Sequence, residues 1–141
     1  MAYTTFSGPV RSGAGFATPV QYITSADTSP INIQAGGNYV ILATAQGGPA
    51  SAVTLVLPEV TIGTFAPGSY PSDVRYDGIQ GAVYNQDASL VHTLKGFGTQ
   101  PVNENALGVV IAVNSVVQWA GNGNQSAPWL ATANALAADK T

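Results

Sequence analysis

The sequence predicts an all-β fold: a compact, jelly-roll-like β-sandwich or β-barrel with an extended N-terminal arm and little or no helix. Three observations carry that expectation. The apolar runs are β-branched and short, about eight residues at most. Clusters of Gly, Pro, Asn and Asp separate them at close spacing, the pattern of many short strands joined by turns. Almost no segment shows the 3.6-residue apolar period of an amphipathic helix, and no strand–helix alternation announces a parallel α/β sheet. The chain of 141 residues fits one domain with a real core. No fixed-period repeat is visible.

Residues 1–15 are rich in Thr, Ser and Gly and contain Pro9. They have little to bury and form an extended arm, which either reaches a neighbour or frays. Residues 16–141 make the single β domain. Residues 16–24 alternate imperfectly, and Pro19 confines them to an edge strand. Residues 27–30 make a turn. A strong strand is expected over residues 38–45, after Gly36 and Gly37. A Gly/Pro loop follows at 46–51. The next strand covers 52–57 and stops at Pro58, and a short strand is expected at 60–65.

Pro67-Gly68, Tyr70-Pro71 and Asp77-Gly78 make residues 66–78 a long surface loop, of the kind that usually forms contacts or carries function. Short strands at 79–84 and 89–94 are joined through Asn85, Gln86 and Asp87. A second Gly/Pro/Asn loop covers 96–105. Two apolar runs, 107–113 and 116–120, then flank Asn114 and Ser115, which predicts a buried β-hairpin. Val109, Ile111 and Val113 lie on one face of its first strand, with Val110 and Ala112 on the other. Both faces are apolar, so the strand is expected to be covered on both sides. Residues 129–133 make a final strand. The Ala-rich stretch after it lacks a strong apolar face, and short isolated helices are marginal in water. It reads as a loose tail.

Charge is the most unusual bulk property. Charged residues make up 8% of the chain, against about 25% in ordinary domains. So few charges leave a surface prone to association, covered by copies of itself or by a partner. The four basic residues, Arg11, Arg75, Lys95 and Lys140, are scattered. They cannot supply the clustered cations that phosphate backbones or anionic membranes need. The apolar runs are far shorter than the ~20 residues that span a bilayer. The first residues lack the charged and apolar regions of a secretion signal. With no cysteine there are no disulfides, thiol nucleophiles or Cys-type zinc sites.

No catalytic or metal constellation stands out. His92, the only histidine, lies in a strand pattern without an adjacent nucleophile. Asp73, Asp77 and Asp87 lack the order of a calcium loop; Asp77 and Asp87 fit turns better, and Asp73 a solvated loop. Glu59 and Glu104 sit at strand–loop junctions, without the clustered aromatics of a glycan-cleaving cleft. The Gly pairs do not precede helices, so they are turns and not phosphate cradles. Ser51, Ser89 and Ser115 lack a nucleophile elbow. No cofactor, metal or enzymatic activity is expected. Trp119 is expected in the core or a subunit interface, Trp129 at an interface or the core rim.

Several strings carry a resemblance. Residues 4–12 read Thr-Thr-Phe-Ser-Gly-Pro-Val-Arg-Ser and lead to Gly15-Phe16. Residues 53–58 read Val-Thr-Leu-Val-Leu-Pro, and residues 78–85 Gly-Ile-Gln-Gly-Ala-Val-Tyr-Asn. Residues 116–123 read Val-Val-Gln-Trp-Ala-Gly-Asn-Gly, and Trp129 follows. The chain resembles the small β-rich head decoration, or cement, proteins of tailed bacteriophages. That resemblance implies a structural protein on the outer surface of the virion capsid, assembled in the host cytoplasm. It also implies a homotrimer that contacts the major capsid protein and stabilises the shell. The family has no catalytic motif. Candidate interface residues are Phe6, Pro9, Arg11, Phe16, Tyr70, Tyr76, Val110, Trp119 and Trp129. The arm carries only Arg11 as charge, so it has no assigned capsid contact. The competing expectation is a carbohydrate- or receptor-binding β-module of a virion surface structure, with Tyr70, Tyr76 or Trp129 lining its groove.

Overall fold

The computed structural model describes residues 19–61 and 75–133. The arm at 1–15 with Phe6, Pro9 and Arg11, then Phe16, Tyr70, Asp73 and the tail after residue 133 all lie outside these residues. The described chain forms nine strands and no α-helix. They are β1 (Val20–Ile23), β2 (Ile31–Asn32), β3 (Asn38–Ile41), β4 (Thr54–Val56), β5 (Gln80–Asn85), β6 (His92–Lys95), β7 (Val109–Ile111), β8 (Ser115–Gly121) and β9 (Trp129–Ala131). A single turn of 3-10 helix, Thr44–Gln46, follows β3.

Two sheets face each other as a sandwich. One has five strands in the order β1-β3-β5-β8-β9, the other four in the order β2-β4-β6-β7. The first six strands alternate between the sheets. β1, β3 and β5 run parallel in one, and β2, β4 and β6 run parallel in the other. Parallel neighbours cannot be joined by a tight turn and need a crossover. Here each crossover is a strand of the opposite sheet, so the chain winds around the core. The remaining strands then close the sheets antiparallel: β7 on β6, β8 on β5 and β9 on β8.

The winding leaves no visible repeat because its coils are unequal. Val20 pairs with Asn38, 18 residues on, and Asn38 pairs with Ala82, a further 44 residues on. The two strand runs around Asn114 and Ser115 do not form the expected hairpin. β7 pairs with β6 in one sheet and β8 with β5 in the other. Asn114, at φ 48°, turns the chain across the sandwich and not back along the same ladder.

The other differences are in length. The strand expected over 38–45 ends at Ile41, where Gly47 at φ 91° closes the 3-10 turn. Residues 60 and 61 are not in a strand, although Val60 is fully buried. The two-residue β2 was not expected; it follows directly on the turn at 27–30. As expected, the strand at Pro19 lies at a sheet edge; β1 begins immediately after that proline.

The core fills the space between the sheets. Ile23, Tyr39, Ile41, Val83, Val117, Trp119 and Trp129 come from the five-stranded sheet. They meet Leu55, Leu94, Val109 and Ile111 from the four-stranded one. Alternation decides which residues these are, since each strand offers every second side chain to the inside. Burying one such side chain contributes about 1.5–3 kcal/mol.

Candidate functional site

Two titratable side chains, Asp87 and His92, interact at one end of the sandwich, where the chain crosses between sheets. Asp87 lies just after β5. Its Oδ2 accepts the Thr44 backbone N–H at 2.9 Å and the Thr44 hydroxyl at 3.0 Å. Its Oδ1 accepts the backbone N–H groups of Ser89 and Leu90 at 2.8 and 3.0 Å, and the Ser89 hydroxyl at 2.9 Å. The Thr44, Ser89 and Leu90 amides hold its carboxyl well below the usual carboxylate range. Beside it, the amide nitrogen of Asn85 donates to the Leu90 and Ala112 carbonyls at 2.8 and 3.1 Å. The Asp87 carbonyl accepts the Asn114 N–H at 3.1 Å. Three sheet crossings are tied together here.

His92 points into the core and is 1% exposed. Its Nδ1 accepts the Val53 N–H at 3.0 Å, so the ring proton sits on Nε2, which is buried without a partner. Burial pushes its pKa down, against the opposing pull of Asp87. A neutral ring closed off from solvent is placed for packing and not for proton transfer to a substrate. Asp77 is exposed, and Asp87 is already saturated by protein donors. Among the described residues no group of three or more His, Asp or Glu side chains gathers to hold a metal. Glu59 and Glu104 are both exposed, and neither lines the sheet groove described below.

Of the candidate interface residues, two prove to be core. Trp119 is 2% exposed and donates its indole N–H to the Ala35 carbonyl at 2.7 Å. Trp129 is 1% exposed, and the half-buried Tyr76 meets it edge-on with ring centroids 5.8 Å apart. Neither indole reaches the surface, because β8 and β9 aim these positions between the sheets. Trp129 therefore cannot stack on a surface ligand, and Tyr76 has its ring turned to Trp129. The Arg75 guanidinium covers Tyr76 at 5.0 Å from the ring centroid. Val110 is half-buried on the outer side of the four-stranded sheet, beside Thr93. That outer face also carries Asn32, Thr54, Val56 and Lys95 and is mostly polar.

The outer face of the five-stranded sheet is different in kind. Tyr22, Val40, Tyr84 and Val116 stand in one cross-strand row over four adjacent strands. Three of them are strongly exposed: Tyr22 at 60%, Tyr84 at 39% and Val116 at 53%. The next row holds Val20, Asn38, Ala82 and Gln118, and the one beyond it Gln80, Ala120 and Leu130. No charged side chain stands in these rows. Between Asn38 and Leu130 the small side chains of Ala82 and Ala120 leave a groove of about 520 Å³. The sequence marks none of these residues. Their signal, an apolar residue at alternate positions of short strands, is what a core-facing side would also give.

Searches of protein families, of curated proteins and of solved structures each return no match to this chain.

Proposed function

We propose that this chain is a virion structural protein: a capsid decoration protein that self-associates, binds the outside of a phage head and staples the shell. The observation that carries the assembly part is the charge-free apolar row Tyr22–Val40–Tyr84–Val116, on a sheet face that none of the other described strands covers. Contiguous exposed apolar surface on a soluble domain marks an interaction site. A face without charges suits contact with copies of itself, because no like charges are brought together by symmetry. The trimeric stoichiometry, the major capsid protein as partner and the virion location rest on the sequence resemblance. The buried His92 and the saturated Asp87 favour a structural over an enzymatic role. Binding energy that exists only on the assembled shell would oppose its dissociation, by mass action.

The test is a light-scattering mass of the full chain, followed by sedimentation with empty phage heads. A mass of three chains and co-sedimentation are expected. Tyr84→Asp with Val116→Asp should reduce the mass to one chain while the circular dichroism stays unchanged. A single-chain mass at high concentration, with no binding to heads, would overturn the proposal.

A further inference from the structure

The groove beside the apolar row has chemistry of its own. Asn38, Gln80 and Gln118 line it, and their side-chain amides make no hydrogen bond among the described residues. Asn38 and Gln118 share a cross-strand row with Ala82 between them, and Gln80 stands two residues before Ala82 on the same strand. Strands about 4.8 Å apart with about 3.3 Å rise per residue put the α-carbons of the three residues about 8–10 Å from one another. Ala82 lies between Asn38 and Gln118, Ala120 lies between Gln80 and the 63% exposed Leu130, and these two alanines form the floor. Among the described residues no charged one lines the groove.

We propose that this groove binds a neutral polyhydroxylated ligand, a hexopyranose unit of a glycan. Each amide both donates and accepts, as a pair of neighbouring hydroxyls does. Amides bordering an apolar floor therefore match a ring with hydroxyls at its rim and C–H groups on its face. An anionic ligand would find no cation here, and a cationic one no carboxylate. The groove is open and shallow, so one site should hold one sugar weakly, at roughly millimolar Kd, and gain strength only through several linked sites. Glycan binding at this position is a different activity from self-association through Tyr84 and Val116, and it does not depend on it. It also lies elsewhere than the Tyr70, Tyr76 and Trp129 set that the sequence suggests.

The test is saturation-transfer NMR on the full chain with maltohexaose, cellohexaose and chitohexaose, and with an oligogalacturonate as acidic comparator. At least one neutral sugar should receive saturation, and the side-chain amide signals of Gln80 and Gln118 should shift with it. Gln118→Ala and Asn38→Ala should each weaken binding about fivefold or more, and Thr93→Ala on the opposite sheet should leave it unchanged. Three outcomes would overturn the proposal. They are no transfer to any neutral sugar, an equal or stronger response to the acidic one, or binding unaltered in the Asn38→Ala, Gln118→Ala double variant. A change of light-scattering mass in that double variant would also overturn it, by making the groove a contact between copies.

Discussion

Gly81 and Trp119 face each other across the β5–β8 ladder, and the indole occupies the space that a β-carbon on residue 81 would need. The same β-carbon would lie 2.6 Å from the Ala35 carbonyl oxygen, the acceptor of the indole N–H. Neither neighbour can give way freely, since one is a core side chain and the other backbone. Gly81→Ala should therefore destabilise the fold by about 1–3 kcal/mol, the usual cost of overpacking. Urea unfolding followed by tryptophan emission reads this. An unchanged midpoint would mean that the indole has room to move.

Acid should unfold the protein in a window set partly by Asp87. Its folded pKa is lowered, so its stabilisation is fully present above the unfolded value of about 3.9. That stabilisation is lost as pH falls below it, through the folded value. Thermal midpoints measured from pH 6 to pH 2 should fall steeply below about pH 4. Asp87→Asn should start from a lower midpoint and lose less over that range. Parallel curves for the two proteins would show that the Thr44, Ser89 and Leu90 contacts do not favour the ionised form.

His92 should act at higher pH than Asp87. Its pKa is also lowered in the fold, by burial, but the charged form here is the protonated one. Below the unfolded value of about 6.5 the unfolded chain takes up a proton that the folded chain refuses, so stability drops as pH falls. His92→Gln should flatten the upper interval of the stability curve, as pH falls below about 6.5. A wild-type curve already flat in the upper interval would contradict a buried neutral ring.

Val110 and Ile111 are adjacent but should respond very differently to charge. Val110 is half-buried on the outer side of its sheet, while Ile111 is fully buried among Leu94, Val109 and the facing strands. Val110→Asp should fold and keep its assembly state, at a cost of about 1 kcal/mol, in the range of ordinary substitutions. Ile111→Asp should not fold, because a carboxylate there would have no partner. Circular dichroism and light scattering decide both. Loss of assembly on Val110→Asp alone would move the subunit contact to the four-stranded sheet.

The strands themselves were legible because their signals are local. Alternation puts Val83 and Val117 inside, and breakers such as Pro19 and Pro58 bound the runs. Partners were not legible. Asn114 and Ser115 mark a reversal, but a turn within one sheet and a corner between two sheets use the same residue chemistry. What separates them is long-range: the Asn114 N–H bonds to Asp87, and the Ala112 carbonyl to Asn85. Likewise, Tyr84 and Val116 look like core residues in the sequence, and only the register places them on the outer, exposed face. Trp119 and Trp129 show the converse. Large aromatics suit cores and interfaces alike, and the direction of the strand decides between them.

Cysteine pairs can test the corner at Asn114 directly, because the chain has no cysteine of its own. Thr93 and Val110 are opposite partners on β6 and β7. Directly opposed antiparallel residues have Cβ atoms about 4.5–5.5 Å apart, near enough for a disulfide after a small adjustment. The Thr93→Cys, Val110→Cys variant should therefore oxidise within one chain. A hairpin turning at Asn114 and Ser115 would instead set Ile111 opposite Gln118. In the sandwich Ile111 points inward from one sheet while Gln118 points outward from the other. The Ile111→Cys, Gln118→Cys variant should stay reduced under the same oxidant, as read by mass spectrometry with thiol labelling. A bridge in that second pair and none in the first would replace the sheet-crossing corner with a hairpin, and would undo the winding built on it.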